Sequence, residues 1–149
     1  MSYGPDITSG QTYTASAEFN PVTSGADKAF DDNSGTYWNP TNDNSVPSWL
    51  KIQFGSSKTV TKITLNWYDT ATYTYTFEGS TDNSSWTTLL TITTKSYTGG
   101  VVTEETFSNS TAYLYYKINV TAKTGGTYLI INEMEMMETL SGTNFLMMF

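Results

Sequence analysis

Apolar and polar residues alternate along short stretches of this chain, and turn-forming clusters separate the stretches. In WLKIQF (Trp49–Phe54), Leu50, Ile52 and Phe54 fall on one side of a pleated strand. In TKITLNWY, Ile63, Leu65 and Trp67 do the same, and in YYKINV, Tyr116, Ile118 and Val120 do so. Period-two alternation means one buried face and one wet face, the habit of antiparallel sandwiches. The pattern predicts strands over Gln11–Phe19, Trp49–Phe54, Thr59–Tyr68, Tyr73–Ser80, Trp86–Thr94, Thr103–Phe107, Tyr113–Ala122 and Thr127–Met137. Between them lie STDNSSW, FGSSK, YTGG and KTGG, whose Asp, Asn, Ser and Gly residues suit tight turns. No stretch holds a helical period and no internal repeat is visible. The expected architecture is all-β, an eight-stranded antiparallel jelly-roll sandwich.

A length of 149 residues suits one domain with a sizeable core. The sandwich is expected over residues 1–138, with an apolar tail over 139–149. That tail, ending NFLMMF, either covers an open end of the sandwich or docks on a protein partner or a second copy. Aromatic residues make up 15% of the chain and charged residues only 14%, which disfavours disorder.

Composition removes whole classes of chemistry. The chain has no Cys and no His, and its seven basic residues are all Lys. Disulfides, thiolate nucleophiles, Ser-His-Asp triads, His-ligated zinc and bidentate Arg contacts are therefore absent. A net charge of −7 disfavours nucleic acid and anionic membrane surfaces. No apolar run is long enough for a transmembrane helix, so membrane insertion is not expected. The first residues lack the basic and apolar regions of a signal peptide. An extracellular or virion-surface location is nevertheless the expectation for a Cys-free, Tyr- and Thr-rich all-β chain.

One loop stands apart. ADKAFDDNSGTYWNP (Ala26–Pro40) concentrates carboxylates, carboxamides and hydroxyls before a Trp. Hard cations such as Ca²⁺ take six to eight oxygen donors, and only oxygen donors are on offer. An Asx-rich turn without metal is the plain alternative. The EF-hand pattern fails: with Asp31 as first position, Gly35 comes one place early and Asn42 stands where the closing Glu belongs.

KAFDDNSGTYW, SWLKIQFG, VTKITLNWY, YTFEGSTDNSSWTTL, YLYYKINVT and GGTYLIINEMEM, in that order, resemble the discoidin or coagulation factor 5/8 type C family and its galactose-binding-like carbohydrate-binding relatives. The resemblance covers about Ala15 to Met137. It implies a structural Ca²⁺ held by the Lys28 carbonyl, Asp31, Asn33, Thr36, the Asn132 carbonyl and Glu133. It places Trp38 in the core beneath that site. The family usually has Gly where this chain has Asp32. It also implies that ligand meets the loops at one end of the sandwich. Here those loops offer Asn42, Tyr68, Asp69, Tyr73, Tyr97 and Tyr128, a set suited to stacking on a sugar ring and bonding its hydroxyls.

The function expected is a non-catalytic module for surface glycans or glycoconjugates. The alternative is a decoration or attachment protein of a virion or cell surface that docks through its tail. Glycoside hydrolysis needs two carboxylates, and Glu104/Glu105 or Glu133/Glu135 are formally available. Because the resemblance assigns Glu133 to the metal, an enzyme is not expected.

Overall fold

A computed structural model describes residues 1–41 and 43–141. Among these residues eight strands form two antiparallel sheets: β1 (Thr12–Ala15), β2 (Ser48–Lys58), β3 (Val60–Trp67), β4 (Ala71–Ser80), β5 (Thr87–Tyr97), β6 (Val102–Thr106), β7 (Tyr113–Thr124) and β8 (Ile131–Glu138). The larger sheet runs β1-β2-β7-β4-β5 and the smaller β6-β3-β8. Each predicted strand has its counterpart, and the sandwich is the jelly roll expected from the alternation.

The core lies between the sheets. Leu50, Ile52 and Phe54 of β2, Tyr73, Tyr75 and Phe77 of β4, and Tyr116, Ile118 and Val120 of β7 face Ile63, Leu65 and Trp67 of β3 and Met134 and Met136 of β8. Aromatic rings fill much of the gap. Trp67 stacks on Tyr73 at 3.8 Å, and Phe77 on Tyr116 at 5.6 Å. Such pairs add stabilisation beyond the area they bury.

Boundaries differ from the alternation where a side chain competes for the backbone. The first strand is much shorter than Gln11–Phe19, because the Glu18 carboxylate accepts the Ala26 N–H at 2.6 Å and draws the chain off the sheet. The last strand begins at Ile131 rather than Thr127, because the N–H groups of Thr127 and Tyr128 bond the Asp69 carboxylate. A short 3-10 turn, Ala26–Ala29, opens the oxygen-rich loop and buries Ala26 and Ala29.

The edge of β8 is covered by the chain's own start. Gly4 and Ile7 donate to the carbonyls of Glu138 and Met136, and Tyr3 bridges Thr139. Covering an edge removes a template for unwanted pairing. The apolar tail, expected either to cover an open end or to dock, lies from residue 142 onward outside the described residues.

Tyr116 joins the sheets. Its hydroxyl donates to the Lys58 carbonyl at 2.5 Å and accepts from the Val60 N–H at 3.1 Å, fixing the β2–β3 corner from β7. Tyr116→Phe leaves a buried N–H and C=O without their partner and should cost about 1–3 kcal/mol. The check is the midpoint of urea unfolding; an unchanged midpoint would mean that water replaces the hydroxyl.

Candidate functional site

The loops at one end of the sandwich are fixed at two points. At the first, Trp38 and Ile131 exchange both backbone hydrogen bonds, at 2.9 and 3.1 Å. The Trp38 indole is fully buried, and its N–H donates to the Ala17 carbonyl at 3.0 Å. The oxygen-rich loop is thereby pinned to the start of β8, with Trp38 in the core.

At the second point, Asp69 gathers three segments. Its Oδ2 accepts from the N–H groups of Thr127 (2.6 Å) and Tyr128 (2.7 Å), and Lys123 Nζ lies 3.4 Å away. Burial pushes the Asp69 pKa up, but these N–H bonds and the Lys123 ammonium outweigh it and hold the carboxyl below its ordinary value. Lys123 in turn bonds Asn44 Oδ1 at 2.9 Å. Gly126 is required here: its φ is +65°, and an added Cβ would come within 2.4 Å of Asp69 Oδ2.

Between these anchors is a pocket of about 190 Å³ lined by Phe19, Tyr37, Asn39, Tyr68, Tyr128 and Ile130. Phe19 and Tyr68 are the most exposed of its rings. Tyr37 and Tyr68 lie 5.9 Å apart, tilted by 56°. The lining contains no carboxylate and no ammonium. It can pack an apolar ring face and offer hydroxyl and carboxamide groups, but it has no acid–base pair for hydrolysis.

Of the expected ligand residues, the structure brings Tyr68 and Tyr128 together here. Tyr73 and Tyr97 are corrections. Both belong to strands rather than loops and are buried. Tyr73 stacks on Trp67, and the Tyr97 hydroxyl bonds those of Tyr75 (2.9 Å) and the Glu105 carboxylate (2.9 Å). Asp69 is also corrected: it holds loops together beside the pocket and does not line it. Asn42 lies outside the described residues. Phe19, Tyr37, Asn39 and Ile130 went unassigned in the sequence. Phe19 falls at the end of the stretch that alternation predicts as the first strand, and Tyr37 stands inside the Ala26–Pro40 loop, among oxygen donors that point to a cation and not to a sugar.

The oxygen-rich loop curls on itself. Thr36 Oγ1 lies 2.5 Å from Asp31 Oδ2, 2.9 Å from the Asn33 carbonyl and 3.5 Å from the Lys28 carbonyl. Glu133 reaches it from β8, accepting the Asp32 N–H on Oε1 at 2.8 Å. Its other oxygen, Oε2, is buried and has no hydrogen-bond partner among the described residues. Burial first, then the charges of Asp31, Asp32 and Glu135, push the Glu133 carboxyl up to about 8 despite the Asp32 N–H. Asn132 precedes it, with its side chain turned inward to Asn66 Oδ1 at 3.2 Å. Asp32 has φ +56°, the left-handed region that Gly enters freely and Asp tolerates. Glu133 Oε2 is thus a buried acceptor without a partner beside an acidic loop, an environment that a hard cation would suit.

The two sheets, their order and the loop-end pocket define a jelly roll of the galactose-binding-like class. The F5/8 type C domain family matches residues 12–134, and the chain belongs to that family. It is similar to chitosan-binding module 1 of a chitosanase/glucanase from Paenibacillus sp. IK-5 (28% identity, TM-score 0.75, 89% of this chain and 98% of that one). Module 2 of the same enzyme, solved in complex with chitotriose, is 25% identical (TM-score 0.72, 88% and 98%). The family 32 carbohydrate-binding module of NanJ from C. perfringens, solved with galactose, shares the fold at 20% identity (TM-score 0.69, 86% and 93%). A search of curated proteins finds none that matches the chain.

Asp69→Ala removes the acceptor of two loop N–H groups and should cost about 1–3 kcal/mol near neutral pH. The depressed carboxyl contributes stability above its ordinary titration range and loses it as pH falls through the lowered pKa. The gap between variant and wild type should therefore narrow in acid. Thermal melts across pH check this; a gap that stays constant to the lowest pH would contradict the loop-clamp role.

Proposed function

We propose that this chain is a non-catalytic glycan-binding module, presented outside the cell, whose saccharide sits in the pocket of Phe19, Tyr37, Asn39, Tyr68, Tyr128 and Ile130. The observation that carries this reading is the convergence of four aromatic rings and a carboxamide on a small pocket free of charged groups. A tyrosine face packs against the C–H face of a pyranose while hydroxyls and Asn39 bond its OH groups. The two chitosan-binding modules add support, since both are carbohydrate-binding modules of similar sequence and nearly equal length. A pocket without carboxylates favours binding over hydrolysis.

The loop end also holds a structural Ca²⁺ in this reading. Lys28 and Asn132 would supply carbonyls, and Asp31, Asn33, Thr36 and Glu133 the remaining oxygens. The cation would satisfy Glu133 Oε2 and neutralise the crowded carboxylates. Its role is to stiffen the loop that carries Tyr37, with no chemistry of its own.

Calorimetric titration of the full chain with chitotriose and galactose-terminated oligosaccharides tests the pocket. Binding should be present for at least one of them and weaken roughly tenfold or more in Tyr68→Ala. No binding across the panel would overturn the reading. For the cation, Ca²⁺ at a hundredfold excess over Kd should add about 2.7 kcal/mol, or roughly 5–10 °C in Tm, relative to EDTA. Glu133→Gln should lose that increment while melting no lower than wild type in EDTA, because without the ion a carboxyl pushed up to about 8 is already largely neutral at pH 7 and the carboxamide oxygen can still accept the Asp32 N–H. An identical wild-type melt with Ca²⁺ and EDTA would exclude the ion.

A further inference from the structure

The outer face of the larger sheet carries a second cleft, which shares no lining residue with the loop pocket. Trp49, Lys51, Asn83, Trp86 and Lys117 line about 200 Å³. Lys51 on β2 lies directly opposite Lys117 on β7, so two ammonium groups share one face of the sheet. Like charges directly opposite each other are destabilising. Neither lysine holds an ion pair among the described residues, although four of the chain's other lysines do. Two carboxylates are close by. Glu78 is in register with Lys117, but its carboxylate accepts the Thr76 hydroxyl at 3.0 Å. Asp82 is spent on the β4–β5 turn, accepting the N–H groups of Ser84 and Ser85 at 2.8 Å each. Both carboxylates keep their charge but bond elsewhere, so among the described residues the two ammonium groups face the cleft without a direct ion pair.

The cleft is also built. The Asp82 turn fixes Asn83 in the left-handed region (φ +61°), and Asn83 Oδ1 accepts from Lys51 Nζ at 2.8 Å. Lys117 Nζ sits 4.1 Å over the Trp86 ring, and Lys51 Nζ 4.9 Å from the Trp49 ring. Both ammonium groups are thereby held beside an indole. Burial, and then the charge of Lys117, lower the Lys51 pKa, as expected for a cation lacking an anion. Trp86 is part-exposed and lines this cleft.

We propose that this cleft is a second saccharide site, selective for an anionic sugar: a pyranose bearing a carboxylate or a sulfate. The indoles of Trp49 and Trp86 pack on the ring, Lys51 and Lys117 receive the anion, and Asn83 bonds a hydroxyl. The site is independent of the loop pocket, which has no cation of its own. A module with both would hold a glycan that mixes neutral and acidic residues, or bridge two glycan chains.

Tryptophan fluorescence reads the site directly, because Trp38 and Trp67 are fully buried and Trp49 and Trp86 are not. The full chain is titrated with trigalacturonate, a sulfated galactose oligosaccharide, neutral galactotriose and sodium sulfate. The acidic sugars should change the emission, and the neutral trisaccharide should not. Whichever acidic sugar binds more tightly tells carboxylate from sulfate. Raising ionic strength to ~0.5 M should weaken the response. Lys117→Gln should weaken binding roughly tenfold and Trp86→Ala at least as much. Tyr68→Ala should leave the response unchanged, which separates this site from the loop pocket. Both lysines and Trp86 are on the surface, and matching melts confirm that the variants fold. The proposal is overturned by silence toward both acidic sugars, or by a response that survives Lys117→Gln and Trp86→Ala. Full reproduction by sodium sulfate would also overturn it, as an adventitious ion only.

Discussion

The paired backbone bonds between Trp38 and Ile131 are the constraint on which the loop end depends. They join the oxygen-rich loop to the last strand across most of the sequence. They also set Trp38 in the core and bring Glu133 beside Asp32. Without them Tyr37 would have no fixed relation to Tyr68 and Tyr128. The second clamp, Asp69 on the Thr127 and Tyr128 amides, works to the same end from the opposite side of the pocket. A rigid scaffold with loops fixed at two points is how small sandwiches present a preformed binding surface.

Sheet residues were readable because alternation is a direct image of burial. Leu50, Ile52, Phe54, Ile63, Leu65 and Trp67 all point where their spacing placed them. Loop residues were readable only in part. Tyr68 and Tyr128 reach the pocket, but Tyr73 and Tyr97 belong to the aromatic core under it. A tyrosine at a strand end serves either role, and the choice turns on where the strand begins. That boundary depends on side chains far away in sequence, as Asp69 and Glu18 show. Asn39, Phe19 and Ile130 come from three separate segments, and no local pattern joins them.

Trp49 and Trp86 show a different limit. Alternation already sets Trp49 opposite Leu50, on the wet face, and Trp86 lies just before β5; what the sequence does not show is the lysine against each ring. The register that sets Lys51 opposite Lys117 is a property of the fold, and only there does the juxtaposed pair of ammonium groups become visible. The chain thus carries two faces of contrasting chemistry, an uncharged aromatic pocket at the loop end and a cationic one on the sheet.

Backbone amide chemical shifts of the ¹⁵N-labelled chain, followed as chitotriose or galactose is added, test the loop pocket most directly. If the pocket binds saccharide, the perturbed amides cluster at Phe19, Tyr37, Asn39, Tyr68, Tyr128 and Ile130. Shifts confined to another surface, or none with either sugar at saturating concentration, would contradict it.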